Sequence, residues 1–122
     1  MTTPSPDFSL VVTAVPDALI VEVAGDLDRG TGEKLIRTVA ERLTPDTAFR
    51  RLRLDFRHLT WIDSMGLSAL LMVHHHADTA GVGLRLDRRP DFLERLLDLT
   101  GTFTYLTGIP RAAGEVPDAG AG

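Results

Sequence analysis

Within about twenty-five residues the apolar pattern of this chain changes period, from two to roughly 3.6, and that change restricts the folds open to it. Arg51 to Phe56 (RLRLDF) alternates charged and apolar side chains, placing Leu52, Leu54 and Phe56 on one face of a strand. From Ser64 onward Leu67, Leu70, Leu71 and His74 recur at helical spacing, with Ala69, Val73 and Ala77 on a neighbouring line and Gly81 as the stop. A half-buried strand that runs so soon into an apolar helix needs a layered core, a sheet covered by helices.

The remaining segments extend that pattern. Phe8 to Val15 and Ala18 to Ala24 are rich in β-branched residues and are divided by Pro16-Asp17, which predicts an opening β-hairpin. In DLDRGTGEKLIRTVAERL, after Gly25, the residues Leu35, Ile36, Val39 and Leu43 form the stripe of an amphipathic helix that Pro45 ends. Gly83 to Asp87 reads as a fourth strand, Pro90 to Thr100 as a third helix with Phe92, Leu93, Leu96 and Leu97 inward, and Phe103 to Leu106 as a last strand. The predicted order is β-β-α-β-α-β-α-β. This is an α/β fold: one domain over residues 8–109, with a mixed sheet that is mostly parallel after the hairpin and helices packed on it. Residues 1–7 read as a flexible extension, and 110–122 (PRAAGEVPDAGAG) as a disordered tail too poor in large apolar side chains to fold.

Composition excludes several classes of function. At 122 residues the chain can bury a core without disulfides or metal, and it contains no cysteine, so thiolate chemistry is absent and a cytoplasmic setting is expected. No basic and apolar leader opens it, and no apolar run approaches the ~20 residues of a membrane span. The net charge of −4 argues against direct binding of nucleic acid.

Chemistry concentrates in Trp61-Ile62-Asp63-Ser64-Met65-Gly66-Leu67, where an extended segment meets the apolar helix. Ser64 is expected at or beside the N-cap, its hydroxyl accepting from the free amides of the first turn. The alternative is a modification site, since a phosphate at a helix N-terminus meets amides and a favourable macrodipole. Gly66 costs the first turn about 1 kcal/mol of propensity, which either a close approach by another molecule or tight helix–sheet packing would explain.

Asp55 to Leu71 (DFRHLTWIDSMGLSALL) resembles the signature of STAS-domain anti-sigma factor antagonists, in which an apolar strand ending in Asp-Leu leads to Asp-Ser-Ser-Gly-Leu and an apolar helix. Gly25-Asp26-Leu27-Asp28 resembles the family's Gly-Glu-Leu-Asp, and the third helix with Thr100-Gly101 fits as well. The resemblance implies that Ser64 is the phosphoacceptor, while Met65 stands where the family has a second Ser. It implies a docking face formed by Asp26, Asp28, Asp63, Ser64, Met65 and Gly66. It implies partners too: a kinase-type anti-sigma factor, bound by the unphosphorylated form to release sigma factor, and a PP2C-type phosphatase that resets the switch. Such a protein is not an enzyme and holds no cofactor.

Other readings compete at several positions. Asp28 or Thr31 can cap the helix after the second strand, leaving Asp26 an ordinary loop acid. His74, His75 and His76 point about 100° apart on a helix and cannot converge on one metal ion; His74 is expected partly buried and hydrogen-bonded. The Arg-rich stretches Arg50-Arg51-Arg53-Arg57 and Arg85-Arg88-Arg89 are expected as solvated faces, with partner recognition secondary. Gly30-Thr31-Gly32 lacks the rest of any nucleotide-binding fingerprint. A serine hydrolase built on Ser64 and His58 lacks the Gly-x-Ser-x-Gly elbow, whereas a STAS scaffold that is never phosphorylated, in a signalling or transport-associated complex, remains the alternative.

Overall fold

The computed structural model describes residues 8–44 and 46–108. The opening hairpin forms as expected: β1 (Ser9–Ala14) pairs antiparallel with β2 (Ala18–Leu27) across Pro16-Asp17, in an unbroken register from Ser9↔Ala24 to Ala14↔Leu19. β2 then feeds α1 (Arg29–Arg42), whose Leu35 and Val39 are fully buried. The helix ends with the Leu43 amide on the Val39 carbonyl at 2.9 Å. Pro45, read from the sequence as the stop, lies outside the described residues, as do the segments 1–7 and 110–122.

β3 (Arg51–Asp55) lies parallel to the first half of β2, and β5 (Gly83–Asp87) lies parallel to β3 on its other side. The sheet order is β1-β2-β3-β5, mixed only because of the hairpin. Alternation sends Leu19, Val21, Val23, Leu52, Leu54 and Leu86 to one face, where they meet Leu35, Leu70, Val73, Leu93 and Leu97 of the helices. The opposite face carries Val11, Thr13, Arg51 and Arg85, all exposed, and no helix covers it among the described residues.

Two elements differ from the sequence reading. Leu59–Ile62 forms a further short strand, β4, parallel to the second half of β2. Its buried residues, Leu59 and Ile62, are three apart, so period two is missing, and a register shift between Gly25 and Asp26 accommodates the pairing. The expected last strand is instead a short helix, α4 (Phe103–Thr107). Phe103 and Leu106 are both buried while Thr104 and Tyr105 are exposed, a spacing that one helical turn satisfies and a strand does not. Gly101, at φ 71°, ends α3 (Asp91–Thr100) in the left-handed conformation and turns the chain into α4.

Candidate functional site

The second half of β2 and the whole of β4 position the site. Asp26 and Leu27 pair with Trp61 and Ile62, and the Asp63 amide donates to the Leu27 carbonyl at 3.3 Å, so α1 and α2 (Ser64–Thr79) begin beside each other at one end of the sheet. The N-cap of α2 is Asp63, not Ser64: its carboxylate accepts from the Gly66 amide at 2.8 Å. Ser64 is thereby moved to the first helical position, and its expected role as acceptor for the first turn passes to the stronger anionic cap. The Ser64 side chain is exposed, and no described residue hydrogen-bonds its hydroxyl.

Gly66 is buried beneath this surface. A Cβ there would collide with the Leu27 carbonyl oxygen and stand 2.8 Å from Ile62 Cγ1, so tight helix–sheet packing accounts for the glycine. The backbone of α2 sits directly on the β2–β4 seam. Met65, next to it, projects outward and is 46% exposed.

On the neighbouring loop Asp28 caps α1 through a reciprocal pair. Its carboxylate accepts from the Thr31 amide at 3.1 Å, and the Thr31 hydroxyl accepts from the Asp28 amide at 2.8 Å. The Thr31 amide, followed by the Thr31 hydroxyl, holds the Asp28 carboxyl below its ordinary value. Asp26 is exposed, and its side chain accepts from the Thr60 hydroxyl at 2.7 Å, tying the end of β2 to β4. Asp26, Asp28 and Asp63 thus gather at the end of the sheet that presents Ser64, and two of the three are committed to helix caps.

Two apolar features flank this end. Between α1 and α2 runs a groove of about 280 Å³, floored by Gly32 and Ala69, with Met65 and Met72 on one wall and Arg29 and Glu33 at its rim. Beyond β4, Trp61 is 48% exposed beside Leu99, 79% exposed on α3. Sequence reasoning gave no role to Thr60, Trp61, Met72 or Leu99. Trp61 lay within the focal motif, but its exposure follows from β4, which period two did not reveal.

The remaining candidates lie elsewhere. His74 is partly buried, but no described residue hydrogen-bonds its Nδ1, and its ring packs 4.2 Å from that of Tyr105 instead of making the expected polar contact. Among the described residues no three His, Asp or Glu side chains come together to hold a metal ion. No described imidazole, His58 included, hydrogen-bonds Ser64. Arg88 and Arg53 are not simply solvated, since they pair with Asp55 and Asp87. No described helix is long and apolar enough to cross a membrane.

Known proteins share this fold. The family model "Mlab, STAS domain" matches residues 10–107. The structure is similar to the anti-sigma factor antagonist SpoIIAA in its unphosphorylated form, with a TM-score of 0.67 at 14% identity over 90% of this chain and 94% of that one. An anti-sigma factor antagonist from Mycobacterium paratuberculosis is similar over 100% of both chains, with a TM-score of 0.67 at 18% identity. A sulfate transporter family protein from Wolinella succinogenes is similar over 75% of this chain and 72% of that one, with a TM-score of 0.64 at 23% identity. These structures share the fold, and the family model covers the strands and helices that build the site; the chain belongs to the STAS domain family.

Proposed function

We propose that this protein is an anti-sigma factor antagonist whose unphosphorylated form binds a kinase-type anti-sigma factor and releases sigma factor, and that phosphorylation of Ser64 ends the complex. The observation that carries this reading is the Ser64 hydroxyl, exposed and unbonded at the first turn of α2, on a sheet end that also presents Asp26, Asp28, Asp63 and Met65. The likeness to two antagonists supports it. In this reading the chain is the kinase's substrate and not an enzyme, a PP2C-type phosphatase resets it, and the exchange runs in the cytoplasm without a cofactor held by this chain.

Electrostatics supplies the switch. Phosphoserine adds about −1.5 to −2 charges, and a partner carboxylate ~6 Å away would repel each charge by roughly 3 kcal/mol at an effective dielectric of ~20. Solvent reduces that figure, yet a hundredfold loss of affinity needs only about 2.7 kcal/mol. The first-turn Gly66 amide is already taken by Asp63, so a phosphate on Ser64 gains less from the helix terminus than an open cap would offer. More of its effect therefore falls on the partner.

The test is to mix the protein with each kinase-like anti-sigma factor of its genome, add Mg-ATP and map the modified residue by mass spectrometry. Ser64→Ala should bind as the parent does and take up no phosphate, and Ser64→Asp should bind more weakly. Undiminished phosphate incorporation in Ser64→Ala rejects the assignment. The likeness to a transporter family protein favours a second reading, a STAS module that serves as a scaffold in a transport-associated complex. Met65, in place of a second serine, is compatible with it. A stable complex with no phosphate uptake in the same samples would select that reading.

A further inference from the structure

We infer that the open face of the sheet is a second docking surface, on which clustered arginines receive a carboxylate-rich segment of a protein partner. The two Arg-rich stretches, remote in sequence, meet here. Arg51 and Arg53 of β3 and Arg85 of β5 project away from the helices because Leu52, Leu54 and Leu86 take the alternate positions in the core. The parallel register sets Arg53 beside Arg85 and Arg51 beside Gly83.

Like charges on adjacent strands oppose folding, and a single carboxylate holds this pair. Asp87 accepts from Arg53 Nε at 2.7 Å and lies 3.4 Å from Arg85 Nε. Both guanidiniums are tethered at Nε, and no described residue hydrogen-bonds their terminal Nη groups. The side chains are 41% and 55% exposed, so two forks stand pre-oriented with their outer donors unused. Arg51 has no ion pair among the described residues. Asp55, farther along the face, is already paired with Arg88 and accepts from the Arg57 amide. A local excess of positive charge results on a chain whose net charge is −4.

Spacing and charge order define the partner. Arg51 and Arg53 repeat at about 6.7 Å and Arg53 and Arg85 at about 4.8 Å, the spacings of carboxylates on alternate residues of an extended segment and on adjacent strands. Guanidinium forks match carboxylates bidentately. A nucleic acid fits less well, because three arginines make too short a basic track for a long polyanion on a chain whose net charge is −4. Along β2, Ala18 is in register with Arg51 and Asp26 with Trp61, a separation of about 26 Å at ~3.3 Å per residue. The two surfaces can therefore be occupied together, and this inference goes beyond the Ser64 switch and stands without it.

The experiment is an anisotropy titration of the full chain with a fluorescein-labelled poly-glutamate peptide of about twelve residues, at low and at physiological salt. Saturable binding is expected, weakened about tenfold by Arg51→Gln/Arg85→Gln and unchanged by Arg29→Gln/Arg37→Gln on α1 or by Ser64→Asp. Arg51→Gln alone, which leaves the Asp87 tether intact, should weaken binding about threefold without altering the fold. Absence of saturable binding at low salt overturns the inference, as does equal loss in the α1 variant. Tighter binding of an oligonucleotide of equal charge overturns it in favour of a nucleic-acid surface.

Discussion

Replacing Gly66 with alanine tests the packing that presents Ser64. In an ordinary helix interior this change stabilises by about 1 kcal/mol through propensity. Here the added methyl would collide with the Leu27 carbonyl oxygen and stand 2.8 Å from Ile62 Cγ1 and 2.9 Å from the Leu27 carbonyl carbon. Carbon atoms pack at about 3.5–4.0 Å, so α2 must retreat by roughly 1 Å from a seam made of backbone, which cannot rotate away as a flexible side chain would. Such overpacking costs about 1–3 kcal/mol. The retreat also stretches the bond from the Asp63 amide to the Leu27 carbonyl, already 3.3 Å long, at a further cost of about 1 kcal/mol. Subtracting the propensity gain leaves a net loss of about 2 kcal/mol. At a urea m-value of about 1.5 kcal/mol/M, the unfolding midpoint should fall by roughly 1.3 M. Gly30→Ala is the matched control: its Cβ would meet nothing closer than 3.8 Å, and it should raise stability by about 0.5–1 kcal/mol. A Gly66→Ala midpoint equal to or above the parent's would refute the packing argument.

Three further outcomes are expected. Asp28→Ala should cost about 1 kcal/mol in denaturant unfolding, because it removes the acceptor of the Thr31 amide, whereas Asp28→Asn should retain most of that stability. Burial pushes the Asp55 carboxyl up, but the Arg57 amide and the Arg88 guanidinium outweigh it and hold the group below its ordinary 3.8. Its contribution is therefore fully present above about pH 4 and is lost as pH falls through the depressed folded value; the stability gap between parent and Asp55→Asn should be constant from neutral pH to about 5 and close below 4, and a gap independent of pH would contradict the pairing. Trp61 is the chain's single tryptophan, so a partner that covers the Ser64 end should shift its emission to the blue, and a saturated complex with unchanged emission would place the partner elsewhere.

Local periodicity and turn chemistry were enough to recover the hairpin, α1, β3, α2, β5 and α3. The reason is that Leu52/Leu54, Leu35/Val39 and Leu67/Leu70 each record in their own spacing which face is buried. The same reading mistook α4 for a strand. FTYLT has strong β-propensity, and the burial of Phe103 with Leu106 is decided by neighbours distant in sequence: the Arg89 guanidinium lies 5.3 Å from the Phe103 ring centre, and Tyr105 meets His74. β4 carries no period-two signal, because its buried residues, Leu59 and Ile62, are three apart and its pairing is with β2.

The candidate site divides in the same way. Asp63-Ser64 at a strand-to-helix junction was visible from residue types alone, because caps and first turns depend on atoms three residues apart. Why residue 66 is glycine and how Asp26 reaches Thr60 are questions of tertiary structure, since each answer joins β2 to a residue more than thirty positions away along the chain. The arginines show the distinction most plainly. The sequence alone determined that Arg51, Arg53 and Arg85 alternate with leucines and so leave the core, whereas only the parallel pairing of β3 with β5 decided that they share one face and one carboxylate. Side-chain direction along a strand is a local property of the backbone, but the identity of the strand beside it is not.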